Sequence, residues 1–270
     1  MRDQYAVVGN PIAHSRSPQI HRAFAEQTGE QLDYGRELVE RDDFARFARE
    51  FFTGGGCGLN VTVPFKLDAC AFADTLTPRA QAAGAVNTLK REEDGSILGD
   101  NTDGAGLVAD LVRLGWTPRG QRILLLGAGG AARGALLPLL QEKPAALHIA
   151  NRTAARALQL AETFAGIGPL SGGGLEDIPG EYDLVINASS ASLSDQAPPI
   201  ADSVLAPGCR AYDMVYGAEP TAFMRWAADQ GAESADGLGM LVGQAAESFY
   251  LWRGVYPEVE PVLQRLRVAL

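Results

Sequence analysis

The stretch Ile123-Leu124-Leu125-Leu126-Gly127-Ala128-Gly129-Gly130-Ala131-Ala132-Arg133-Gly134 is an apolar strand that runs into a glycine turn and then into an alanine-rich helix. Gly127 suits the tight turn, and Gly129 lets backbone approach a pyrophosphate. Ala132 stands at the third fingerprint position, where a small side chain lets helix pack on strand. The free N–H groups and positive dipole end of that helix then meet the anion. A tight turn between any buried strand and helix would use the same residues. Context favours the dinucleotide reading, because Leu147-His148-Ile149-Ala150 follows as a second strand at the distance a βαβ unit requires. NAD-binding folds carry an Asp or Glu at the end of that second strand for the ribose 2′-hydroxyl. This chain has Asn151-Arg152-Thr153-Ala154-Ala155-Arg156 instead. Two guanidinium groups match a phosphate, so the spacing predicts NADP. The plainer alternative makes Arg152 and Arg156 a solvated helix face with Thr153 as N-cap.

Working outward, 270 residues imply two domains, since single cores stop growing at about 250 to 300 residues and domains run about 100 to 150. Hydrophobic content of 46% and charged content of 21% fit a globular chain, and no apolar run approaches the roughly 20 residues of a membrane span. Met1-Arg2-Asp3-Gln4-Tyr5 leads straight into a strand without a secretory n-region and h-region, which gives a soluble, cytoplasmic expectation. Cys57, Cys70 and Cys209 are odd in number and lack C-x-x-C spacing, so they read as small core residues with neither a disulfide framework nor a metal site. A net charge of −10 argues against nonspecific nucleic-acid or anionic-membrane binding, while leaving room for a local basic pocket.

Polar clusters recur at the ends of the predicted strands, where open α/β sheets bind ligands. Tyr5 to Gly9 ends in Asn10-Pro11-Ile12-Ala13-His14-Ser15-Arg16-Ser17-Pro18. There Ser17 reads as the N-cap of a helix with Pro18 at its first position, and Ser15 has no such structural duty. A strand Asp33 to Val39 and a helix Asp42 to Phe52, with Phe44, Phe47 and Phe51 on one face, come next. In the extended run 59–63, Leu59, Val61 and Val63 are expected on one side and Asn60 and Thr62 on the other. Lys66 follows, one of three lysines in a chain with twenty arginines. It is a cation that can lose its proton in a sequence that otherwise prefers one that cannot; a snorkelling lysine at a helix start is the alternative. Glu93-Asp94-Gly95 marks a hairpin. Asp103 precedes a helix as N-cap, as functional carboxylate, or as both, and Trp116 to Gly120 reads as the boundary into the nucleotide domain. Beyond Arg156 come a glycine-rich connection, Gly166 to Gly174, and a strand Asp183 to Asn187. Asn187, Ala188, Ser189 and Ser190 at its end belong either beside the pyrophosphate or nicotinamide or in a capped turn. A strand Ala211 to Tyr216, a helix Pro220 to Gln230 and a last amphipathic helix after Asp236-Gly237 complete the chain.

The strings Gly-Asn-Pro-Ile-Ala-His-Ser-Arg-Ser-Pro at 9–18, Asn-Val-Thr-Val-Pro-Phe-Lys at 60–66, Asn101-Thr102-Asp103-Gly104, the Gly127 loop, Asn151-Arg152-Thr153 and Gly237-Leu238-Gly239-Met240-Leu241-Val242-Gly243-Gln244-Ala245 together resemble the shikimate dehydrogenase family along the whole chain. The resemblance implies an α/β fold of two domains. One is an N-terminal α/β substrate domain (1–103 plus 238–270), onto which the C-terminal helices pack back, and the other a Rossmann-like NADP-binding domain (104–237). It implies reversible NADP-linked reduction of 3-dehydroshikimate to shikimate in aromatic amino-acid biosynthesis, with Lys66 and Asp103 as the catalytic pair. Ser15, Ser17, Asn60, Thr62, Lys66, Asn87, Asp103 and Gln244 would hold the substrate, with Tyr216 at the closing edge of the cleft. Gly127, Ala128, Gly129, Gly130 and Ala131 with Asn151, Arg152, Thr153 and Arg156 would hold NADP, with Asn187 and Ser189 beside it and Gly237 and Met240 near the nicotinamide. The chain departs from the family pattern in two loops. Tyr216-Gly217-Ala218-Glu219-Pro220-Thr221-Ala222 lacks two prolines, and the run after Asn187 reads Ala-Ser-Ser-Ala-Ser in place of Ala-Thr-Ser followed by Gly. The rival functions are a quinate/shikimate dehydrogenase with relaxed cofactor use and a noncatalytic NADP-binding regulator, which would have no use for both Lys66 and Asp103. The expected partner is a small-molecule substrate, with no nucleic acid or membrane, and the expected state is monomer or homodimer.

Overall fold

The computed structural model describes residues 2–189 and 191–270, with Leu193 described in its backbone alone; Ser190 of the loop after Asn187 lies outside the described residues. In chain order the first half comprises β1 (Asp3–Gly9), α1 (Ser17–Thr28), β2 (Leu32–Leu38), α2 (Phe44–Thr53), β3 (Gly56–Val61), α3 (Lys66–Phe72), β4 (Thr75–Leu76), α4 (Pro78–Ala83), β5 (Thr88–Arg91), β6 (Ile97–Asp100) and α5 (Asp103–Arg113). The second half comprises β7 (Arg122–Leu126), α6 (Gly130–Gln141), β8 (Ala146–Asn151), α7 (Ala154–Thr163), β9 (Leu170–Gly174), β10 (Tyr182–Asn187), β11 (Leu205–Asp213), α8 (Ala222–Asp229), β12 (Glu233–Ala235), α9 (Leu238–Arg253) and α10 (Glu260–Val268). Unit 1 is Met1–Gly106 with Val242–Leu266, and unit 2 is Leu107–Leu241 with Arg267–Leu270. Among the described residues no helix is long and apolar enough to cross a membrane.

Unit 1 is built on one mixed sheet in the order β2-β1-β3-β5-β6-β4. β1 pairs in parallel with both β2 and β3, and the hairpin β5-β6 joins antiparallel to β3. Being interior, β1 is buried from Tyr5 to Gly9, which is why its sequence is an apolar run rather than an alternation. On one side Val8, Leu59, Val61 and Leu89 pack with Phe44, Ala48, Phe52 and Phe65. The inward stripe of α2 is thus Phe44, Ala48 and Phe52, a spacing of four, while Phe47 and Phe51 are only partly buried and pack at its margin. On the other side α9 lies against the sheet. Trp252 donates its indole N–H to the Leu89 carbonyl at 3.0 Å, and a Cβ at Gly58 would lie 2.4 Å from that indole nitrogen, so only glycine allows the approach. Arg253 pairs with Asp3 and Glu30, and α10 buries Val262, Leu263 and Leu266.

Two local expectations change here. The alternation expected for 59–63 stops at Val61, where β3 ends, and Val63 is 62% exposed because the chain has already left the sheet. Helix α1 starts at Ser17 rather than after it. Arg16 occupies the N-cap position without a side-chain cap bond, and the Ser15 hydroxyl accepts the Ser17 N–H at 3.3 Å. The structural duty therefore falls on Ser15, which the sequence leaves free, and the Ser17 side chain is available for other contacts. Of the cysteines, Cys209 is buried, whereas Cys57 and Cys70 are only partly so.

Unit 2 holds an all-parallel sheet in the order β12-β11-β10-β7-β8-β9. Counted within the unit from β7, this is 3-2-1-4-5-6, the doubly wound order, and the direction of winding reverses between β7 and β10. β7 sits at the centre with Ile123 to Leu126 fully buried on both faces. The glycine-rich segment Gly166 to Gly174 is not merely a connection, since Leu170–Gly174 forms the edge strand β9 beside β8. Helix α7 explains one of these glycines: a Cβ at Gly172 would lie 2.5 Å from the Ala157 carbonyl oxygen. β11 ends at Asp213, three residues before Tyr216. Helix α8 is capped by Thr221, whose hydroxyl accepts the Met224 N–H.

Candidate active site

In unit 1 the sheet, two helix starts and the middle of α9 bring four of the candidate residues into contact. Lys66 opens α3 and Asp103 opens α5, and Lys66 Nζ donates to Asp103 Oδ2 at 2.5 Å. Both side chains keep some exposure, 31% and 19%, so a ligand can reach the pair. Asp103 Oδ1 accepts from Asn87 Nδ2 at 2.9 Å, and the same amide group lies 3.3 Å from Gln244 Oε1 on α9. Both Asp103 oxygens are thus engaged, one by Lys66 and the other by Asn87. Asn87 is held where β5 begins: its carbonyl accepts from Val61 N, and its N–H donates to the Asp100 carbonyl. The Asn101-Thr102-Asp103 loop is equally fixed. Asn101 Oδ1 accepts the Asp103 N–H and Asn101 Nδ2 donates to the Ala85 carbonyl. The buried Asp100 carboxylate takes two bonds from Arg79, at 2.8 and 2.6 Å, and one from Thr77 at 2.5 Å.

Two further candidates of unit 1, Asn60 and Ser17, meet at Tyr34. Its hydroxyl donates to Asn60 Oδ1 at 2.6 Å and lies within hydrogen-bonding reach of Ser17. Burial pushes the Tyr34 phenol well above its ordinary pKa, so it acts as a neutral donor. Ser15 lies on the same loop, its carbonyl held by the Arg36 guanidinium at 2.7 Å. Thr62 bonds through its N–H to the Val8 carbonyl. Its methyl stands where a Cβ on Gly9 would fall, 2.5 Å away, which accounts for a glycine at the end of β1. Tyr216 and the nucleotide-loop candidates belong to unit 2.

In unit 2 the switch point between β7 and β10 is lined as a phosphate site requires. Gly127 has φ +112°, and a Cβ there would lie 3.2 Å from the Ala188 backbone, so the turn needs glycine on two counts. Gly129 and Gly130 face open space. α6 starts at Gly130 with no acidic residue in its first turn, leaving N–H groups and dipole to an anion. Asn151 ends β8 and donates to the Thr153 carbonyl at 3.0 Å. Thr153 stands at the N-cap position of α7 but makes no side-chain cap bond, and Arg152, Thr153 and Arg156 are exposed. This donor set fits a dinucleotide carrying an extra phosphate. At the end of β10, Asn187 Oδ1 accepts from Ser189 N–H and Oγ at 3.1 and 2.7 Å. The fully buried Asp213 carboxylate beside it accepts from Asn187 Nδ2 (3.3 Å), Ser192 Oγ (2.5 Å), Thr221 Oγ1 (2.6 Å) and Val215 N–H (3.0 Å). Gly237 packs on the next residues, for a Cβ there would lie 2.1 Å from the Met214 carbonyl oxygen, and the Met240 N–H donates to the Tyr212 hydroxyl.

Family models match three stretches of this chain: the shikimate dehydrogenase substrate binding domain at residues 7–89, shikimate / quinate 5-dehydrogenase at 113–194, and the shikimate 5'-dehydrogenase C-terminal domain at 237–267. A curated relative from Cellvibrio japonicus, named shikimate dehydrogenase (NADP(+)), is 58% identical over 269 residues, 99% of this chain and 98% of its own. The chain belongs to the shikimate dehydrogenase family. Among solved structures, the Thermus thermophilus shikimate 5-dehydrogenase in complex with NADP(H) and shikimate superposes with a TM-score of 0.89 at 33% identity, covering 99% of this chain and 100% of that one. An Ael1 enzyme from Pseudomonas putida superposes at 0.94 with 47% identity over 98% of each chain. The same shikimate dehydrogenase architecture also carries a 5-ketofructose reductase of Gluconobacter, at 0.89 and 27% identity over 100% of this chain and 99% of that one.

Within this shikimate dehydrogenase fold, several residues that organise the site were not singled out by the sequence. Tyr34, Thr88 and Ser248 are hydroxyl side chains in strands and a helix, where nothing in the local pattern distinguishes them. Ser248 is fully buried and contacts Asn60 Nδ2 at 3.0 Å, Thr88 Oγ1 at 2.8 Å and Thr102 Oγ1 at 3.2 Å. Its position one turn after Gln244 on a helix face is the signal that could have found it.

Proposed function

We propose that this chain catalyses the reversible NADP-linked reduction of 3-dehydroshikimate to shikimate, a step of aromatic amino-acid biosynthesis. The observation that carries the reading is the Lys66–Asp103 pair at 2.5 Å, with Asn87 and Gln244 in contact around it. The curated relatives named NADP-dependent shikimate dehydrogenase, 54 and 58% identical along the chain, support it. Residues 1–103 and 238–270 form the substrate domain and 104–237 the NADP-binding domain. The enzyme works in the cytoplasm as a monomer or homodimer.

NADP, held by the glycine loop and the Asn151–Arg156 segment, would supply the hydride acceptor or donor for the alcohol or ketone carbon. The chain's own residues manage the proton and the pose. Lys66 as the neutral amine takes the hydroxyl proton during oxidation and as the ammonium returns it to the carbonyl oxygen during reduction, a cycle open to a lysine and closed to an arginine. Asp103 accepts a hydrogen bond from the reacting hydroxyl and orients the Lys66 ammonium. Ser15, Ser17, Asn60, Thr62, Asn87 and Gln244 hold the ring hydroxyls and carboxylate. Gly127 to Ala131 hold the pyrophosphate, Asn151, Arg152, Thr153 and Arg156 the 2′-phosphate, and Asn187, Ser189, Gly237 and Met240 the nicotinamide end. A spectrophotometric NADPH assay with shikimate or quinate, each against NADP or NAD, tests this. Shikimate with NADP is expected to give the highest kcat/KM. Equal turnover of quinate would make the chain a quinate/shikimate dehydrogenase, and NADP binding without turnover in any combination would make it a regulator.

A further inference from the structure

A side-chain amide can present either end to its neighbours, so the orientation of Asn60 and Asn87 must be imposed from outside. In unit 1 it is imposed by a chain of hydrogen bonds that all run one way. The Tyr34 hydroxyl donates to Asn60 Oδ1 (2.6 Å), Asn60 Nδ2 donates to Thr88 Oγ1 (3.1 Å), Thr88 Oγ1 donates to Asn87 Oδ1 (2.9 Å), and Asn87 Nδ2 donates to Asp103 Oδ1 (2.9 Å). Four bonds run head to tail from β2 across β3 and β5 to the start of α5, every donor aimed toward the carboxylate. Bonds aligned in this way polarise one another. Turned the other way, Asn87 would set its oxygen against the Asp103 carboxylate and its NH₂ against the Thr102 N–H, which now donates to Asn87 Oδ1 at 2.9 Å.

Thr88 is the link between the two amides. It is fully buried in a strand, where valine has the same shape and a comparable preference for the pleated surface, so its hydroxyl needs a reason to be there. We infer that Thr88, with Tyr34 at the head of the chain, is a positioning residue for the substrate site, its hydroxyl fixing the orientation of Asn60 and Asn87 and hence the donor that Asn87 presents to Asp103. This deepens the reading of the chain as a shikimate dehydrogenase and rests on it.

The test uses the full-length chain, beginning with wild type on shikimate and NADP. Thr88→Val should lower kcat/KM for shikimate by about 10- to 100-fold, the scale of a buried polar group left without its partner, while the KM for NADP stays within about twofold. Thr88→Ser, which keeps the hydroxyl, should restore most of the loss. Tyr34→Phe should lower kcat/KM for shikimate several-fold, and its combination with Thr88→Val should fall short of the product of the two effects because both act through Asn60. Wild type inert on shikimate would overturn the functional reading and this one with it. An active wild type with Thr88→Val unchanged, with both KM values rising in parallel, or with no rescue by Thr88→Ser would overturn this inference alone. Should Thr88→Val fail to fold, wild-type kinetics in Tyr34→Phe would do the same.

Discussion

His21 gives unit 1 a defined weakness toward acid. It lies in α1 with no exposed surface, stacked on Tyr34 at 4.3 Å and flanked by Phe24, Phe249 and Trp252, and among the described residues neither ring nitrogen meets a partner at hydrogen-bond geometry. Burial therefore lowers its pKa from 6.5 to about 3, the nearby Asn60 side chain acting weakly in the opposite sense. As pH falls below 6.5 the unfolded chain takes up this proton and the folded chain does not, so stability drops through the whole window down to about pH 3. Each unit is worth about 1.4 kcal/mol, so pH 5 removes about 2 kcal/mol relative to pH 7 through this one ring. His21→Phe keeps a planar ring of similar size and removes the titration. Urea unfolding followed by tryptophan fluorescence, for which Trp252 beside His21 is a reporter, should show the variant losing about 2 kcal/mol less than wild type between pH 7 and pH 5. Parallel losses in the two proteins, or a His21 pKa near 6.5 by NMR titration, would refute the reasoning.

Three further outcomes are expected. Lys66→Ala should lower kcat by roughly 10²- to 10⁴-fold with a smaller effect on KM, and Lys66→Arg should not restore it, since charge is kept and proton transfer is lost; more than about a tenth of wild-type kcat in the arginine variant would give the cation a positioning role only. Arg152→Asp should weaken NADP binding by about 1.5–3 kcal/mol in calorimetric titration while leaving NAD nearly unaffected, and equal losses would mean that Arg152 serves the fold. Gly172→Ala sets a methyl 2.5 Å from the Ala157 carbonyl oxygen and should lower stability by about 1–3 kcal/mol in thermal unfolding; an unchanged melting temperature would show that α7 and β9 separate freely.

The nucleotide-binding crossover was legible in the sequence because its signals are local: an apolar strand, a glycine turn and a helix start within twelve residues, and a pair of arginines where a carboxylate would select NAD. Lys66 and Asp103 could each be noticed by residue type and setting. Their contact, made across 37 positions, follows from the pairing of β3, β5 and β6 and not from either neighbourhood. The buried hydroxyls were illegible for the same reason, since Tyr34 meets Asn60 across 26 positions and Ser248 meets Thr102 across 146. Where the local reading failed, a neighbour had overruled it. The glycines of β9 weaken a strand in isolation, but at Gly172 α7 lies too close for any larger residue. Ser17 reads as a cap until Ser15 takes its N–H.

The two loops that depart from the family pattern are the two that Asp213 holds together, through Ser192 in one and Thr221 in the other. Both hydroxyls donate to the same oxygen, Oδ2, so a shift of either loop would take one charge-assisted hydrogen bond from a buried anion. Inheritance should therefore treat them as one cassette, and a chimera meant to alter cofactor use would do best to transplant both segments, since exchanging a single one would remove one of the two hydroxyls that share Asp213 Oδ2.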